Sequence, residues 1–345
     1  MKAFIPLMVL IALIPLIISI PQYPDSQKFY EGQRKFSIKL LHALHKSAHT
    51  NRVVSPYSIY HGLLLLYFGA EGETEVSLKR ALYLNWANSK EDIIRVYQSL
   101  NQFNVHPEIE FHNVSRLYVT DKAVLKPSMS LIYRKNIEKV DFAQDPAGIV
   151  KHINKHIAKV TNGHIKNFYS KDLINPNTNV ILINAAYLRA RWQLPFNKNW
   201  TVLKNFYGYE TVQVPMMRRH GQYVYGFVEG LNSLYVRIPY LGEHGALSMY
   251  LLPVMGVENL FDQINLNGIS DSLKLNLDDL NHYSKVGVNE CGSLDAAVTG
   301  SYAIDLSEMG TGKRFTADHP FVYVIYDKVL EAVLMTGVYR GPSRN

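Results

Sequence analysis

The segment of residues 290–315 constrains most strongly what this chain can fold into. It consists of small, polar and mixed residues without a helical or strand period, and it lies between an alternating run and the strongly apolar run that begins at Phe321. Aperiodic loops of this length are uncommon in compact domains, and those that occur are usually functional or disordered. The pattern therefore predicts a long exposed loop, which could present a tethered peptide to another protein.

The rest of the chain has the composition of one large globular domain, predicted to span residues 21–345. The chain has 345 residues, of which 47% are hydrophobic and 19% are charged, and it contains no repeat and no low-complexity tract. A chain of this length can bury a substantial core. Its single cysteine, Cys291, cannot form an internal disulfide, so the core must supply the stability.

The N-terminus has the pattern of an export signal. Lys2 supplies a positive start, and residues 3–20 are uncharged and almost wholly apolar. A membrane anchor is the alternative, because the run is near the lower length limit for spanning a bilayer. Two prolines, Pro6 and Pro15, and the absence of basic residues just beyond the run favour cleavage. We therefore predict a signal peptide at 1–20 and a secreted, extracellular protein that has no membrane association after cleavage.

Export gives meaning to two short triplets. Asn113-Val114-Ser115 and Asn199-Trp200-Thr201 match the acceptor pattern for N-linked glycans. Such triplets often arise by chance, so the prediction of glycans at Asn113 and Asn199 depends on the predicted export.

The net charge of +7 permits an anionic partner. Lys151, Lys155 and Lys159 are four residues apart, with His152 and His156 beside them, so a helix here would carry a basic stripe. A sulfated polysaccharide is one interpretation, and a solvated helix face is the other. Interspersed carboxylates favour the solvated face. A nucleic acid partner is not expected, because export removes the usual target and no aromatic residues alternate with the basic ones.

The sequence gives little support to enzyme chemistry. It contains no Gly-x-Ser-x-Gly, no His-Glu-x-x-His and no glycine-rich phosphate loop, and one cysteine cannot build a thiolate metal cluster. The thirteen histidines are scattered. We therefore expect neither catalysis nor a cofactor or metal.

Hydrophobic periodicity predicts an α+β fold with helices early and strands late. Helical spacing marks residues 29–46, 59–68, 77–84 and 90–103. Apolar segments rich in strand-forming residues are 180–188, 234–239, 246–253 and 321–325. This order is typical of α+β domains.

Motifs along almost the whole chain after the predicted signal resemble those of serpins. The loop motifs are Glu290-Cys291-Gly292-Ser293, Asp295-Ala296-Ala297-Val298-Thr299-Gly300-Ser301 and Phe315-Thr316-Ala317-Asp318-His319-Pro320-Phe321. Earlier motifs are residues 51–59, Gly69-Ala70-Glu71-Gly72-Glu73-Thr74, Thr161-Asn162-Gly163-His164-Ile165, Asn184-Ala185-Ala186-Tyr187-Leu188, Trp192, Pro195-Phe196 and Val214-Pro215-Met216-Met217. The resemblance implies a monomer in which helices pack on a large mixed β-sheet, with further sheets and an exposed reactive loop.

The resemblance also implies a function. Serpins inhibit serine or cysteine proteases by suicide: the protease cleaves the loop, becomes acylated, and is distorted as the loop inserts into the main sheet as a new strand. It further implies that Ser55, Ser58, Asn184 and His282 form a polar cluster beneath the opening strands. His282 is assigned by its position, eight residues before Glu290.

The usual loop length of the family implies a reactive bond between Leu306 and Ser307, with Met309–Gly310 as the alternative. Leu306 would suit a chymotrypsin-like or elastase-like serine protease, whose specificity pocket is apolar. The implied hinge comprises Glu290, Cys291, Gly292, Ser293, Asp295 and Ala297.

Two departures from the family pattern leave open a non-inhibitory binding or carrier protein that is cleaved only as a substrate. Asp295 occupies a hinge position that faces the core after insertion, where an unpaired carboxylate is costly. In addition, only residues 278–281 separate 272–277 from His282, where a serpin has an outer strand, a helix and a return segment. Loss of that block would make residues 282–288 a sheet edge.

Overall fold

The computed structural model describes residues 24–47, 51–100, 109–125, 136–170, 174, 177–228, 233–242, 245–253, 279–293, 303–308 and 314–342. The predicted signal peptide, Asp295, Ala297 and the alternative bond at Met309 lie outside these residues.

The predicted early helices are confirmed, with shifted ends. The described residues form five α-helices: α1 (Pro24–Ser47), α2 (Pro56–Gly69), α3 (Gly72–Ala81), α4 (Lys90–Leu100) and α5 (Pro146–Val160). Helix α2 begins where Ser55 caps it and Pro56 takes the first turn. Helix α3 ends earlier than its apolar spacing predicts, because the backbone reverses at Tyr83, which has φ +55°.

The strands among the described residues form three sheets. The C-terminal sheet has the order β1 (Arg52–Val54), β16 (Ala332–Tyr339), β15 (Phe321–Asp327), β9 (Leu247–Pro253), β8 (Ser233–Pro239) and β7 (Val224–Val228). The central sheet has the order β11 (Val288–Asn289), β12 (Gly292–Ser293), β4 (Val180–Arg191), β2 (Ile109–Thr120) and β3 (Ile137–Val140), and β10 (Asp279–Lys285) also pairs with β4. The four-stranded sheet has the order β14 (Arg314–Thr316), β13 (Ala303–Glu308), β6 (Thr211–Gly221) and β5 (Val202–Tyr207).

The central sheet is mixed, which confirms the predicted α+β class. Strand β4 runs antiparallel to β2 but parallel to β10, and β2 runs parallel to β3. The coarse periodicity did not predict β2, although this strand pairs with one edge of β4 from Val180 to Ala190.

Strand β4 is apolar on both faces because helices cover both. Ile181, Ile183 and Tyr187 pack in one cluster with α5 residues such as Ile153. The alternate residues Leu182, Ala186 and Leu188 pack in the larger cluster that contains α2. Successive side chains of a strand point to opposite faces, so a strand between two helical layers needs a continuous apolar run.

The predicted sheet edge is partly confirmed. Among the residues that the structure describes, β10 pairs with β4 alone. Val288 differs from the prediction, because it pairs with Ser293 in a short hairpin.

Candidate functional site

The predicted polar cluster lies between α2 and the middle of β4. The Ser58 hydroxyl donates to Asn184 Oδ1, and Asn184 Nδ2 donates to the Ser58 carbonyl at 2.6 Å. Asn184 Nδ2 also lies 3.1 Å from Ser115 Oγ on β2. Ser58 and Asn184 are buried, so these hydrogen bonds replace the water that their polar groups lose.

Sequence reasoning missed Ser115 as a member of this cluster. Ser115 is the last residue of the predicted glycosylation triplet, and it lies directly opposite Asn184 in the pairing of β2 with β4. Only that register brings them together. Gly62 on α2 completes the site, because a Cβ there would come within 2.5 Å of Asn184 Nδ2.

The other two predicted members differ in their roles. Ser55 Oγ accepts from the Ser58 backbone N–H at 3.1 Å and donates to the Leu334 carbonyl at 2.7 Å, so it caps α2 and ties it to β16. His282 lies on β10, and its Cα is paired with that of Asn184. The side chain of His282 is outside the described part of the structure.

The predicted hinge begins as a hairpin inside the central sheet. Strand β12 pairs antiparallel with β11 on one side and antiparallel with β4 on the other, with Gly292 opposite Arg191 and Ser293 opposite Ala190. Asn289 Oδ1 accepts from the backbone N–H groups of Cys291 and Gly292 at 2.9 and 3.2 Å. The first residues of the reactive loop are therefore already a strand between β11 and β4.

Side chains and backbone beyond β4 hold the turn of this hairpin. Trp192 donates from Nε1 to the Asn289 carbonyl at 2.9 Å and from its backbone N–H to the Cys291 carbonyl at 2.9 Å. Glu290 is buried, and its carboxylate accepts from Thr201 Oγ1 at 2.8 Å. Cys291 is a half-buried free thiol. Glu290 and Cys291 therefore form the turn of the hairpin, and their role as part of a hinge stays a prediction.

Ser293, at the end of β12, is held by a hydrogen bond between two uncharged hydroxyl groups. Its hydroxyl lies 2.6 Å from Tyr240 Oη, and the Tyr240 ring stacks on Trp192 with centroids 4.5 Å apart. Burial raises the pKa of Tyr240 well above its usual range, so the phenol stays protonated at physiological pH.

Gly292 is required by its conformation. Its φ is +152°, and a Cβ at this position would lie 2.2 Å from the Ala190 carbonyl oxygen. Only glycine lets the hairpin approach β4 so closely.

The expectation that Leu306 lies in an exposed loop is wrong for this structure. Leu306 is 1% exposed and lies in β13, between β6 and β14. Ile304 and Leu306 alternate into the main core cluster, and Asp305 between them is held by cations. Alternation that fits a half-buried strand explains why this part of the segment pairs instead of remaining open. Whether Leu306–Ser307 is the reactive bond stays a prediction.

The two glycosylation triplets lie in different surroundings. Asn199 is exposed in a 3-10 turn at Lys198–Trp200, which suits a glycan. Asn113 lies inside β2, and its amide oxygen is buried without a hydrogen-bond partner in the described structure. The half-buried Asn113 side chain is less open than that of Asn199, and a glycan there stays a prediction.

The predicted basic stripe lies on α5. Lys151, Lys155 and Lys159 are exposed. His152 instead contacts Glu138 at 2.9 Å, and His156 accepts from Arg116 at 3.2 Å. Burial and the Arg116 charge lower the pKa of His156, so it adds little positive charge at neutral pH.

The described residues contain neither a metal-binding cluster nor a helix that could span a membrane. No group of three or more His, Cys, Asp or Glu side chains is placed to hold a metal ion there. No helix among them is long and apolar enough to cross a membrane.

Known proteins resemble the chain along most of its length. The family model described as "Serpin (serine protease inhibitor)" matches residues 31–253 and 250–342. Serine protease inhibitor 88Ea of Drosophila melanogaster is 28% identical, and the alignment covers 91% of each protein. The leukocyte elastase inhibitor of Equus caballus is 26% identical, with 89% of this chain and 97% of that protein covered.

Solved structures share the fold. Serpin48 of the insect Tenebrio molitor superposes with a TM-score of 0.75 at 20% identity, covering 93% of this chain and all of that chain. The mouse protein Z-dependent protease inhibitor gives a TM-score of 0.76 at 19% identity and covers 92% of this chain and 98% of that chain. Since the family model also spans most of the sequence, this chain belongs to the serpin family.

Proposed function

We propose that this protein is a secreted inhibitor of a chymotrypsin-like or elastase-like serine protease and acts by insertion of its reactive loop, 290–315, into the central sheet. The observation that carries the proposal is β12. Its two residues already lie antiparallel to β4 with Gly292 opposite Arg191, so the loop has begun the strand that insertion would extend. The description of the family and the relatives of this chain, which include an elastase inhibitor, support the same function.

The register of β12 defines how insertion would proceed. Continued along β4, it would bring Asp295 opposite Leu188 and Ala297 opposite Ala186. Strand β10 now occupies the same edge of β4 from Ile181 to Tyr187. Insertion therefore requires β10 to separate from β4 and the sheet to open over the polar cluster.

The same register leads us to expect that Asp295 opposes inhibition. Directly paired residues of adjacent strands share a face, and Leu188 is fully buried in the main core cluster. A carboxylate inserted there without a partner would cost about 3 kcal/mol or more. Slow insertion lets the acyl-enzyme hydrolyse, so the chain would be cleaved as a substrate.

The alternative is a non-inhibitory binding or carrier protein. It is favoured by the burial of Leu306 and by missing sequence: the alignment with the Drosophila relative extends over 389 residues, more than the 345 of this chain. That alignment must include positions at which this chain has no residue.

The decisive experiment compares the parent protein with Asp295→Ala, using Leu294→Ala at the neighbouring outward position as the matched control. Each protein is incubated with chymotrypsin and with elastase, and products are separated on a denaturing gel. We expect Asp295→Ala to form more covalent complex per cleavage and to gain more thermal stability once cut. If all three proteins are only cleaved, and cleavage stabilises none, the non-inhibitory alternative is correct.

Secretion is a separate part of the proposal and has its own test. We infer a mature protein that begins near Ile20, is monomeric and carries a glycan at Asn199, with the exposed lysines of α5 available to a sulfated polysaccharide. N-terminal sequencing of material from a culture medium tests the mature N-terminus, and glycosidase treatment of the same material tests the glycan at Asn199. Retention of residues 1–20 in a membrane fraction would contradict secretion.

A further inference from the structure

Strand β13 takes residues of the reactive loop into a second sheet. All six of its residues pair in parallel with β6, from Ala303 opposite Met216 to Glu308 opposite Gly221. On its other side, Asp305 to Ser307 pair antiparallel with β14. The loop is therefore bound at both ends, through β12 to the central sheet and through β13 to the four-stranded sheet.

A buried carboxylate lies at the centre of β13 and is met by every other strand of that sheet. The Asp305 side chain is 2% exposed. Lys204 on β5 lies at 2.8 Å, Arg218 on β6 at 3.3 Å, and Arg314 on β14 donates through Nε and Nη2 at 2.9 and 2.5 Å. Thr316 Oγ1 lies 3.4 Å from the same carboxylate. We name these four charged residues the ionic cluster.

The ionic cluster contains one carboxylate and three cations, so Asp305 is held from several sides. The three cations are partly exposed, with exposed fractions of 31% for Lys204, 37% for Arg218 and 49% for Arg314. Burial alone would raise the pKa of Asp305, but hydrogen bonds from Arg314 and Lys204 lower it to about 2. The carboxylate is therefore ionised at physiological pH, and the bidentate arginine gives the contact a fixed geometry.

Full insertion and β13 exclude each other. If the β12 register continued to the far end of β4, Ala303 would lie opposite Val180. In the present structure Ala303 pairs with Met216 of the four-stranded sheet. The loop can therefore complete a strand along β4 only after β13 begins to leave β6 and β14.

We propose that the ionic cluster is a latch that holds Ala303–Glu308 in the four-stranded sheet and so restrains insertion of the reactive loop. Its consequence for inhibition rests on the proposed function, whereas its local effect on β13 does not. Release of Asp305 takes a carboxylate from three cations at once, and Ile304 and Leu306 leave the core in the same step.

Hydrogen exchange tests the latch without any protease. Asp305→Asn keeps the shape of the side chain and removes its charge, and Arg314→Gln weakens the cluster from its most exposed member. Glu31→Gln is the matched control, because it removes a carboxylate from an exposed ion pair with Lys35 at 2.6 Å. We expect the amides of β13 to exchange roughly tenfold faster or more in Asp305→Asn, less so in Arg314→Gln, and unchanged in Glu31→Gln.

The amides of β15 serve as an internal reference for global unfolding. If β15 and β13 accelerate equally in both cluster variants, the cluster contributes only general stability and the latch is wrong. If neither variant changes exchange in β13, the latch is also wrong. Arg314→Gln keeps the test available should Asp305→Asn fail to fold.

A second measurement separates the latch from the proposed function. The rate of covalent complex formation with chymotrypsin is compared for the parent, Arg314→Gln and Glu31→Gln, because Arg314 is in the ionic cluster but, unlike Asp305, is not next to the proposed reactive bond in the sequence. Faster complex formation in Arg314→Gln alone supports both inferences. Faster exchange in β13 with no complex in any protein supports the latch and contradicts inhibition. Equal complex formation with unchanged exchange supports inhibition and overturns the latch.

Discussion

Strands β12 and β13 come from the same segment of sequence but are held by different chemistry. Strand β12 has two residues, a glycine with φ +152° and a serine whose hydroxyl meets Tyr240. Strand β13 has six residues and is fastened by the ionic cluster. A neutral hydrogen bond exchanges easily for another, whereas Asp305 must give up charge-assisted hydrogen bonds and ion pairs to three cations together when β13 leaves the sheet.

The comparison indicates where motion in the loop should begin. The β12 end can lengthen or withdraw by exchanging neutral contacts, while the β13 end resists until Asp305 loses its partners. The four predictions below test this difference, from the largest expected change in the free energy of unfolding to the smallest.

Strand β12 pairs with β4, and the polar cluster around Asn184 holds β4 in place. The largest loss of stability should therefore come from Asn184→Ala. This change leaves buried polar groups of Ser58 and Ser115 without their amide partner. We expect a loss of about 3 kcal/mol in the free energy of unfolding, measured in urea. Asn205→Ala on the exposed face of β5 is the control, with a change below about 0.5 kcal/mol. Equal losses in the two variants would contradict the polar cluster.

The contribution of the ionic cluster to the free energy of unfolding should depend on pH. The pKa of Asp305 is about 2 in the folded protein, below its ordinary value of 3.8, so its contribution is present above the unfolded value and is lost as the pH falls through about 2. We expect the parent to exceed Asp305→Asn by about 2 kcal/mol above pH 5. Urea titrations from pH 2 to pH 6 measure the gap. A gap that stays constant over this range would show that the charge is irrelevant.

Substitution at the hinge should have a moderate effect that is independent of pH over the same range. In Gly292→Ala the new Cβ meets the Ala190 carbonyl oxygen, so β12 must leave β4. We expect a loss of about 1.5 kcal/mol, because only a two-residue strand detaches. Gly221→Ala is the control, since the nearest atom there is 3.6 Å away. Unchanged exchange of the Ser293 amide in Gly292→Ala would contradict the hairpin.

The smallest effect should come from Tyr240→Phe, which removes one neutral hydrogen bond and leaves Ser293 Oγ buried. We expect a loss of about 1 kcal/mol that is the same at pH 5 and pH 8, because burial raises the pKa of Tyr240. Tyr209→Phe at a side chain that is 94% exposed is the control. A loss that depends on pH would mean that β12, like β13, is held by an ionisable group, which contradicts the difference between the two strands.

Periodicity and motifs in the sequence predicted a large part of the fold and of the site. The apolar run of β4 and the all-round apolar helix α2 are encoded locally, since each is buried on more than one side. The serpin resemblance placed Ser58 and Asn184 in one cluster, and the structure joins them. Ser115 was missed because its role depends on the register between β2 and β4, which no local pattern reveals.

The segment after residue 290 shows where such prediction ends. The resemblance of Glu290-Cys291-Gly292-Ser293 to a serpin motif predicted a hinge, and the structure has a hairpin there that requires glycine at position 292. The aperiodic composition of the segment indicated an exposed loop at Leu306, and the structure has a buried strand there. The short alternation of Ile304, Asp305 and Leu306 fits a loop or a strand equally well when read alone.

The sequence by itself determined the serpin family, the α+β class, and the positions of the buried helix and strand that carry the polar cluster. Only the tertiary structure decided that Asp305 is neutralised by Lys204, Arg218 and Arg314, residues that lie up to about a hundred positions away in the chain. The physical reason is that a carboxylate tolerates burial only where cations from other strands surround it, and strand order in a sheet is a property of the whole fold.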